Sequence, residues 1–334
     1  MIGLDLGELQ NVALEIGMPK YGGKQIADWI YGKRVVSIDQ MTNLSKDFRR
    51  RLSESYEVGR REPLSSIRSV DGTVKYLFPG VINCEVESVM IPDKERATLC
   101  VSSQAGCKMG CRFCMTGRMG FHGNLPSSAI INQILSVDES EDLTNVVFMG
   151  MGEPLDNIDA VLKSIDILTA PWGLGWSPKR ITVSTVGRPK ELAKLLEETK
   201  VHVAFSLHHP YASEREDLMP VEKAFPAKNV LNLLRQYDFS KQRRLSIEYI
   251  MWKDINDDQR HADALARLLK GTDARVNLIR YHSIPAFNGE PSPNQRMIEF
   301  RDRLNQQGIT ATIRASRGED ILAACGMLST VNKR

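Results

Sequence analysis

Three of the chain's six cysteines, Cys107, Cys111 and Cys114, fall in the spacing C-x3-C-x2-C. Thiolates set this close bind zinc or an iron–sulfur cluster, and either usually takes four protein ligands where its role is structural only. A cubane held by three cysteines leaves one iron open to bind something else. The competing arrangement is a zinc site completed by Cys100, Cys84 or a nearby histidine such as His122. Structural zinc favours paired C-x2-4-C elements, and this chain has one cysteine group and no second pair. The spacing points to the three-cysteine cluster.

Other residues could join that chemistry. "MGMGEP" sets Gly152 and Glu153 directly after the apolar run "NVVFM". Glycine lets backbone approach a ligand and a carboxylate can pair with an ammonium, although an isolated Gly-Glu is also a common solvated turn. Ser184 in "VSTVG", and Ser206, Leu207 and His208 in "FSLHH", also follow apolar runs. Taken singly they are turn or cap residues, and His208 could equally be a hydrogen-bonded structural histidine. Cys100 and Cys325 read singly as small buried hydrophobes, and Glu87 in "CEVESVMI" as a solvent-facing strand residue.

The elements that must position these groups show in the periodicity. Residues 6–55 read as helical, with apolar spacing in "LGELQNVALEI" and "KQIADWIYGK" and a Gly-rich break, "YGGK", between them. Asp71-Gly72, set between "SSIRSV" and "TVKYLF", predicts a hairpin, which "CEVESVMI" continues as a small sheet. From residue 97 onward, β-rich runs such as "ATLCVSS", "RITVST" and "LSIEYIM" alternate with helical stretches such as "IDAVLKSIDIL" and "PKELAKLLEE". That alternation implies a parallel sheet, either a barrel or a doubly wound one, with the active site at the C-terminal strand ends. The expected organisation is a helical unit over 1–60, a hairpin and linker over 61–96, and an α/β core over 97–334.

Composition narrows the setting. Of 334 residues, 42% are hydrophobic and 25% charged, ordinary for a globular protein. The opening "MIGLDLGELQ" lacks the basic start and apolar core of a signal peptide, and no apolar run is long enough to cross a bilayer. A cytoplasmic location is expected, where clustered cysteines serve metals or catalysis more often than disulfides. The net charge of +3 permits a nucleic-acid partner without requiring one. The basic run at 46–62 is ordinary for a solvated helix face.

C-x3-C-x2-C after the first strand of such a series resembles the radical S-adenosylmethionine superfamily. "TLCVSSQAGCKMGCRFCMTGRMGFHGNL", "VVFMGMGEPLDN", "RITVSTVG", "FSLHHPY", "IEYIMWKDIND", "VNLIRYH" and "ATIRASRGEDILAACG" together resemble the RlmN/Cfr family of RNA adenosine methyltransferases. The resemblance runs from about residue 85 to 328. It implies a partial (β/α)6 barrel with a small N-terminal helical accessory domain that binds RNA. It implies a 4Fe–4S cluster on Cys107, Cys111 and Cys114, whose open iron chelates S-adenosylmethionine, and two molecules of S-adenosylmethionine per turnover. Gly152, Glu153, Ser184, Ser206, Leu207, His208 and Asn277 are implied as its contacts. Cys325 is implied to accept a methyl group from one molecule. A radical made from the second activates that group, and the resulting methylene adds to an adenine ring carbon. Cys100 then resolves the protein–RNA adduct, leaving a disulfide with Cys325, while Glu87 moves protons. Cys84 has no matching role.

The implied partners are 23S ribosomal RNA, tRNA beside the anticodon, and an electron donor such as flavodoxin, with the enzyme acting as a monomer. Within the family, Pro154 after Glu153 favours the branch that methylates adenine C2, whereas Arg280 in "NLIRYH" resembles the branch that methylates C8. C2 is the preferred reading and C8 its alternative. A second alternative, from another class, is a non-catalytic RNA-binding protein with structural zinc.

Overall fold

The computed structural model describes residues 1–285 and 287–329, so the last residues of the 97–334 segment lie outside the described residues. The chain opens with three helices, α1 (Leu6–Glu15), α2 (Gly22–Ala27) and α3 (Lys46–Ser55). Asp5 and Glu8 form a reciprocal capping box that fixes the start of α1. "YGGK" is not the break expected between helices, because α2 begins at Gly22. A Cβ on Gly23 would lie 2.5 Å from the Gln10 backbone, so the glycine serves close packing of α2 on α1.

Three antiparallel strands follow: β1 (Ser65–Arg68), β2 (Val74–Pro79) and β3 (Glu85–Asp93). The expected hairpin is present, its loop running from Ser69 to Thr73. Next comes β4 (Arg96–Cys100). A small pair, β5 (Gln104–Gly106) and β6 (Phe121–Asn124), encloses the short helix α4 (Met115–Arg118). Strand and helix then alternate: α5 (Ser127–Leu135), β7 (Asn145–Phe148), α6 (Ile158–Thr169), β8 (Ile181–Thr185), α7 (Pro189–Glu198), β9 (His202–Ser206), α8 (Ala212–Leu218) and α9 (Ala227–Leu234). The series ends with β10 (Leu245–Met251), α10 (Gln259–Leu269), β11 (Arg275–Arg280), α11 (Asn294–Gln306) and β12 (Ala311–Arg314).

The strands lie in the order β1-β2-β3-β4-β7-β8-β9-β10-β11-β12. From β4 to β12 every neighbouring pair is parallel and in chain order. A doubly wound sheet would reverse direction at a switch point; this sheet never does, so the barrel reading holds. Six strand–helix units are present, with β12 as a final added strand. The barrel stays partial for a topological reason. The outer edge of β4 is already paired with β3, in the register Val89↔Cys100, and cannot also receive β12. The hairpin strands therefore continue the barrel sheet.

The helical N-terminus packs on α5 and α6. Leu9, Ile26 and Ala27 are fully buried and belong to the same apolar core as the barrel, each Leu or Ile contributing about 1.5–3 kcal/mol by burial. Ser127 Oγ donates to the Gly3 carbonyl at 2.9 Å, and Arg61 and Asn132 exchange two bonds of 2.8 Å. The basic run of α3 is largely paired locally: Arg50 with Asp47 and Glu54, and Arg51 with Asp47.

Candidate active site

The cysteine loop is a hairpin insertion whose base is the β5–β6 pair. Gly106 has φ +71°, and a Cβ there would come within 1.9 Å of the Gly120 carbonyl, so only glycine closes this base. The Cys107 amide donates to that carbonyl at 2.9 Å, and the Arg112 amide ties the loop to Leu218 at 3.0 Å. Burial, reinforced by the neighbouring thiols, raises the pKa of all three cysteines, that of Cys107 to about 12. Thiolates here need a cationic centre to become stable.

That centre fits a cluster better than a single ion. Tetrahedral zinc with Zn–S bonds of about 2.3 Å would draw its thiolates to about 3.8 Å from one another. Among the described residues, the three sulfurs are not grouped even within 4.8 Å. Cubane ligands sit on separate irons and stand further apart. Of the candidate fourth ligands, His122 turns its Nε2 to the Met119 carbonyl at 3.2 Å, and Cys84 packs against the core.

The loop faces a cavity at the C-terminal ends of the parallel strands, lined also by Gly152, Glu153, Ser184, Ser206, His208 and Cys325. Gly152 has φ +98°, and a Cβ would meet Gln104 at 2.5 Å. The buried Glu153 carboxylate accepts from Thr185 Oγ1 at 2.6 Å, the Val186 amide at 3.0 Å and the Leu155 amide at 3.2 Å. Burial nonetheless raises its pKa to about 7. Ser184 and Ser206 stand Oγ to Oγ at 3.4 Å. His208 is both a cavity residue and a structural one. Its Nδ1 accepts the Ile250 amide at 3.2 Å, its ring meets Phe113 edge-on, and burial lowers its pKa to about 3, keeping it neutral.

Two expected contacts stand back from the cavity. The Leu207 side chain is in the apolar core, while its carbonyl accepts from the buried Arg215 guanidinium. Asn277 donates to Glu248 Oε1 at 2.8 Å and reaches the cavity only through that carboxylate. Glu248 was not anticipated. It lines the cavity, and among the described residues its buried Oε2 has no hydrogen-bond partner, as expected of an acceptor suited to a polar ligand. A lone carboxylate inside the apolar run "LSIEYIM" was the available signal. Arg314, at the end of β12, was likewise missed; it is half-buried beside Cys100 and Cys325, and the Cys325 sulfur is the main influence raising its pKa.

Cys100 and Cys325 share a depression beside Cys114 and Arg314. Cys100 is buried, which pushes its pKa up to about 12, and Cys325 is exposed. The two meet at the gap where the barrel fails to close, between β4 and β12. The segment carrying Cys325 is tied on both sides. The Met115 amide donates to the Gly326 carbonyl at 2.8 Å, Thr116 Oγ1 to Leu328 at 2.8 Å, and the Ser329 amide to Glu87 Oε2 at 2.8 Å. Glu87 is therefore buried, not solvent-facing; burial raises its pKa, opposed by its ion pair with Lys75 at 3.1 Å.

Residues 101–266 match the radical SAM superfamily, and residues 1–58 match the ribosomal RNA large subunit methyltransferase N-terminal domain. The crystal structure of a radical SAM methyltransferase from Sphaerobacter thermophilus is similar at TM-score 0.92 and 36% identity, over 98% of both chains. Sheet, cysteine loop and cavity are those of a radical S-adenosylmethionine methyltransferase. The chain is 57% identical over 333 residues to a probable dual-specificity RNA methyltransferase RlmN of Bacteroides thetaiotaomicron, covering 100% of this chain and 96% of that one. It is 41% identical over 339 residues to the dual-specificity RNA methyltransferase RlmN of Desulfotalea psychrophila, covering 98% and 94%. The chain belongs to the RlmN family of RNA methyltransferases.

Proposed function

We propose that this enzyme methylates C2 of an adenosine in 23S ribosomal RNA, and of one beside the anticodon in tRNA, through a methyl group carried on Cys325. The observation that supports this most is the meeting of Cys100 and Cys325 in one depression with Cys114. A single-step methyltransferase needs neither thiol. Ring hydrogens of adenine are not acidic enough for ordinary methyl transfer, so a route through a carrier and a radical suits the target.

Cys107, Cys111 and Cys114 hold a 4Fe–4S cluster which, when bound, supplies the electron that breaks the sulfonium bond of S-adenosylmethionine. Gly152 and Glu153 meet the methionyl amino group. Because the Glu153 carboxylate is occupied by three donors, the strand end offers backbone acceptors as well as charge. Ser184, Ser206 and His208 contact the remainder, with Leu207 shaping the loop and Asn277 orienting Glu248 toward the ligand. Exposed Cys325 gives up its proton and takes a methyl from a first S-adenosylmethionine, releasing S-adenosylhomocysteine. A second molecule is consumed in activating that methyl for addition to the base. Cys100 stays protonated in its buried place until the adduct lies beside it. Its sulfur then bonds to that of Cys325, freeing the product, and the disulfide must be reduced before the next cycle. Glu87, with a raised pKa near this segment, holds or passes the proton involved.

The helical N-terminus grips folded RNA around the target, which must leave its stack to reach the cavity. The enzyme works as a cytoplasmic monomer fed by a donor such as flavodoxin. Arg280, the residue resembling the C8 branch, bonds the Ser292 carbonyl and lies outside the cavity lining, which favours C2. Mass spectrometry of nucleosides from RNA treated with the reconstituted enzyme tests the proposal. We expect 2-methyladenosine; 8-methyladenosine, or no methylated adenosine, overturns it.

A further inference from the structure

Behind the cavity wall, a second group of side chains has the composition of a metal site. His209 follows His208 directly but faces the opposite way, toward Glu214 on α8 and His261 on α10. His209 Nε2 lies 3.3 Å from Glu214 Oε2, and His261 Nε2 lies 3.6 Å from the same oxygen. All three atoms fall within 4.8 Å of one another. A tetrahedral ion with bonds of about 2.0–2.1 Å to nitrogen and oxygen spaces its ligands at about 3.3–3.4 Å, close to the two shorter separations. Both imidazoles are more than nine-tenths buried, and among the described residues neither Nε2 has a hydrogen bond of acceptable geometry, although His209 also lies beside the Ile255 backbone.

The surroundings orient two of the three ligands. His261 Nδ1 is 2.7 Å from Asp258 Oδ1, which commits the ring proton to that carboxylate and leaves Nε2 as a lone pair facing Glu214. A lone pair against a carboxylate oxygen calls for a cation between them. Glu214 Oε1 takes Arg260 at 3.3 Å, so that Oε2 alone serves the imidazoles. A carboxylate behind a histidine and a clamp on the ligating carboxylate are the usual outer contacts of a metal site. One contact must yield: the Tyr211 amide donates to His209 Nδ1 at 3.2 Å, and that nitrogen must carry a proton once Nε2 binds an ion. A single hydrogen bond is set there against three metal–ligand bonds.

We propose that His209, Glu214 and His261 bind a divalent transition metal, zinc by the nature of the donors, with a fourth position open to water. The ion would fasten the β9–α8 loop, which follows Ser206 and carries His208 on its cavity side, to the start of α10. It has a further consequence for metal analysis: this enzyme with an intact cluster would also contain zinc, so zinc content alone does not separate it from a zinc-bearing RNA-binding module.

The test uses the cluster-loaded enzyme, in which Cys107, Cys111 and Cys114 are already engaged. Zinc uptake is measured by competition with a chromophoric chelator, and cobalt(II) replaces zinc as a spectroscopic probe. We expect one zinc per chain beyond the iron, and a cobalt spectrum without a thiolate charge-transfer band. Zinc should protect the wild type against thermal unfolding. His209→Ala and Glu214→Gln should each weaken zinc by more than about 100-fold, and Asp258→Asn by about 10- to 100-fold. Glu214 is a partly exposed side chain, so its variant keeps the test usable even where a histidine variant fails to fold. No zinc beyond the iron, undiminished zinc in Glu214→Gln, or a thiolate band in the cobalt spectrum overturns the proposal.

Discussion

The cysteine loop and the Cys100–Cys325 pair line two depressions that share Cys114 and Cys325, but they are held there by different means. Cys107, Cys111 and Cys114 lie on a single insertion closed by β5 and β6, and their placement depends on contacts between near neighbours such as Gly106 and Gly120. Cys100 ends the first parallel strand, and Cys325 follows the last. They meet because the sheet curls until β12 faces the β3–β4 edge, and because Glu87, Met115 and Thr116 tie down the segment around Cys325. Local closure sets the spacing of the proposed ligands; long-range closure sets a pair that, on the proposed mechanism, must also exchange partners during the reaction. The first should be robust and binary, the second graded and sensitive to distant contacts.

The largest effects belong to the loop. Cys107→Ala, Cys111→Ala or Cys114→Ala should abolish the iron–sulfur absorbance and reductive cleavage of S-adenosylmethionine. Cys84→Ala should leave both intact. A Cys107→Ala protein that still holds a full cubane would erase the distinction between the two thiol sets.

The pair should fail in two unlike ways. Cys325→Ala should yield no methylated RNA while cleavage of S-adenosylmethionine persists, since the cluster ligands are untouched. Cys100→Ala should accumulate protein joined to RNA through Cys325, visible as a nuclease-sensitive mass shift. If both residues only filled space, each variant would fold poorly or work slowly and neither would trap RNA. Free turnover by Cys100→Ala, with its cluster intact, counts against the assigned role.

The same contrast decides what could be read from the amino-acid order. The cysteine loop stood out because its spacing is itself the signal, and the strands because buried parallel strands are continuous apolar runs between amphipathic helices. Long-range consequences were not. Glu87 looked solvent-facing because nothing near it in sequence shows that the Ser329 segment covers its strand. "YGGK" looked like a break because glycine lowers helix propensity, whereas the packing of α1 on α2 demanded it. Glu248 and Arg314 were hidden because their significance comes from an unpaired oxygen and from nearby thiols, both products of the folded arrangement. Asn277 and Leu207 came from resemblance alone, which could not say that Asn277 is bonded to Glu248 or that the Leu207 side chain lies in the apolar core.

The smallest expected effect lies where the hairpin latches the segment that leads to Cys325. Asp71 Oδ2 accepts the Gly318 amide at 2.9 Å, and Asp320 returns the contact by accepting from Ser69 Oγ at 2.5 Å and the Val70 amide at 3.2 Å. Burial would raise the pKa of Asp71, but the Gly318 amide and the Thr73 and Ser69 donors outweigh it and hold the carboxyl well below the usual range. A depressed folded-state pKa means stability that is present above the unfolded value of about 4 and is lost as pH falls below it. Asp71→Asn removes the charge and keeps only one of the two oxygens that accept the Gly318 and Thr73 amides, so it should cost about 1–2 kcal/mol after solvent screening, and it should flatten the acid limb of the unfolding curve. Because the latch holds only the segment beyond β12, cluster content should not change, while methyl loading of Cys325, followed by intact mass, should slow a few-fold. Loss of cluster in this variant would show that the two thiol sets are not held independently, and unaltered methyl loading despite lower stability would show that the latch does not position Cys325.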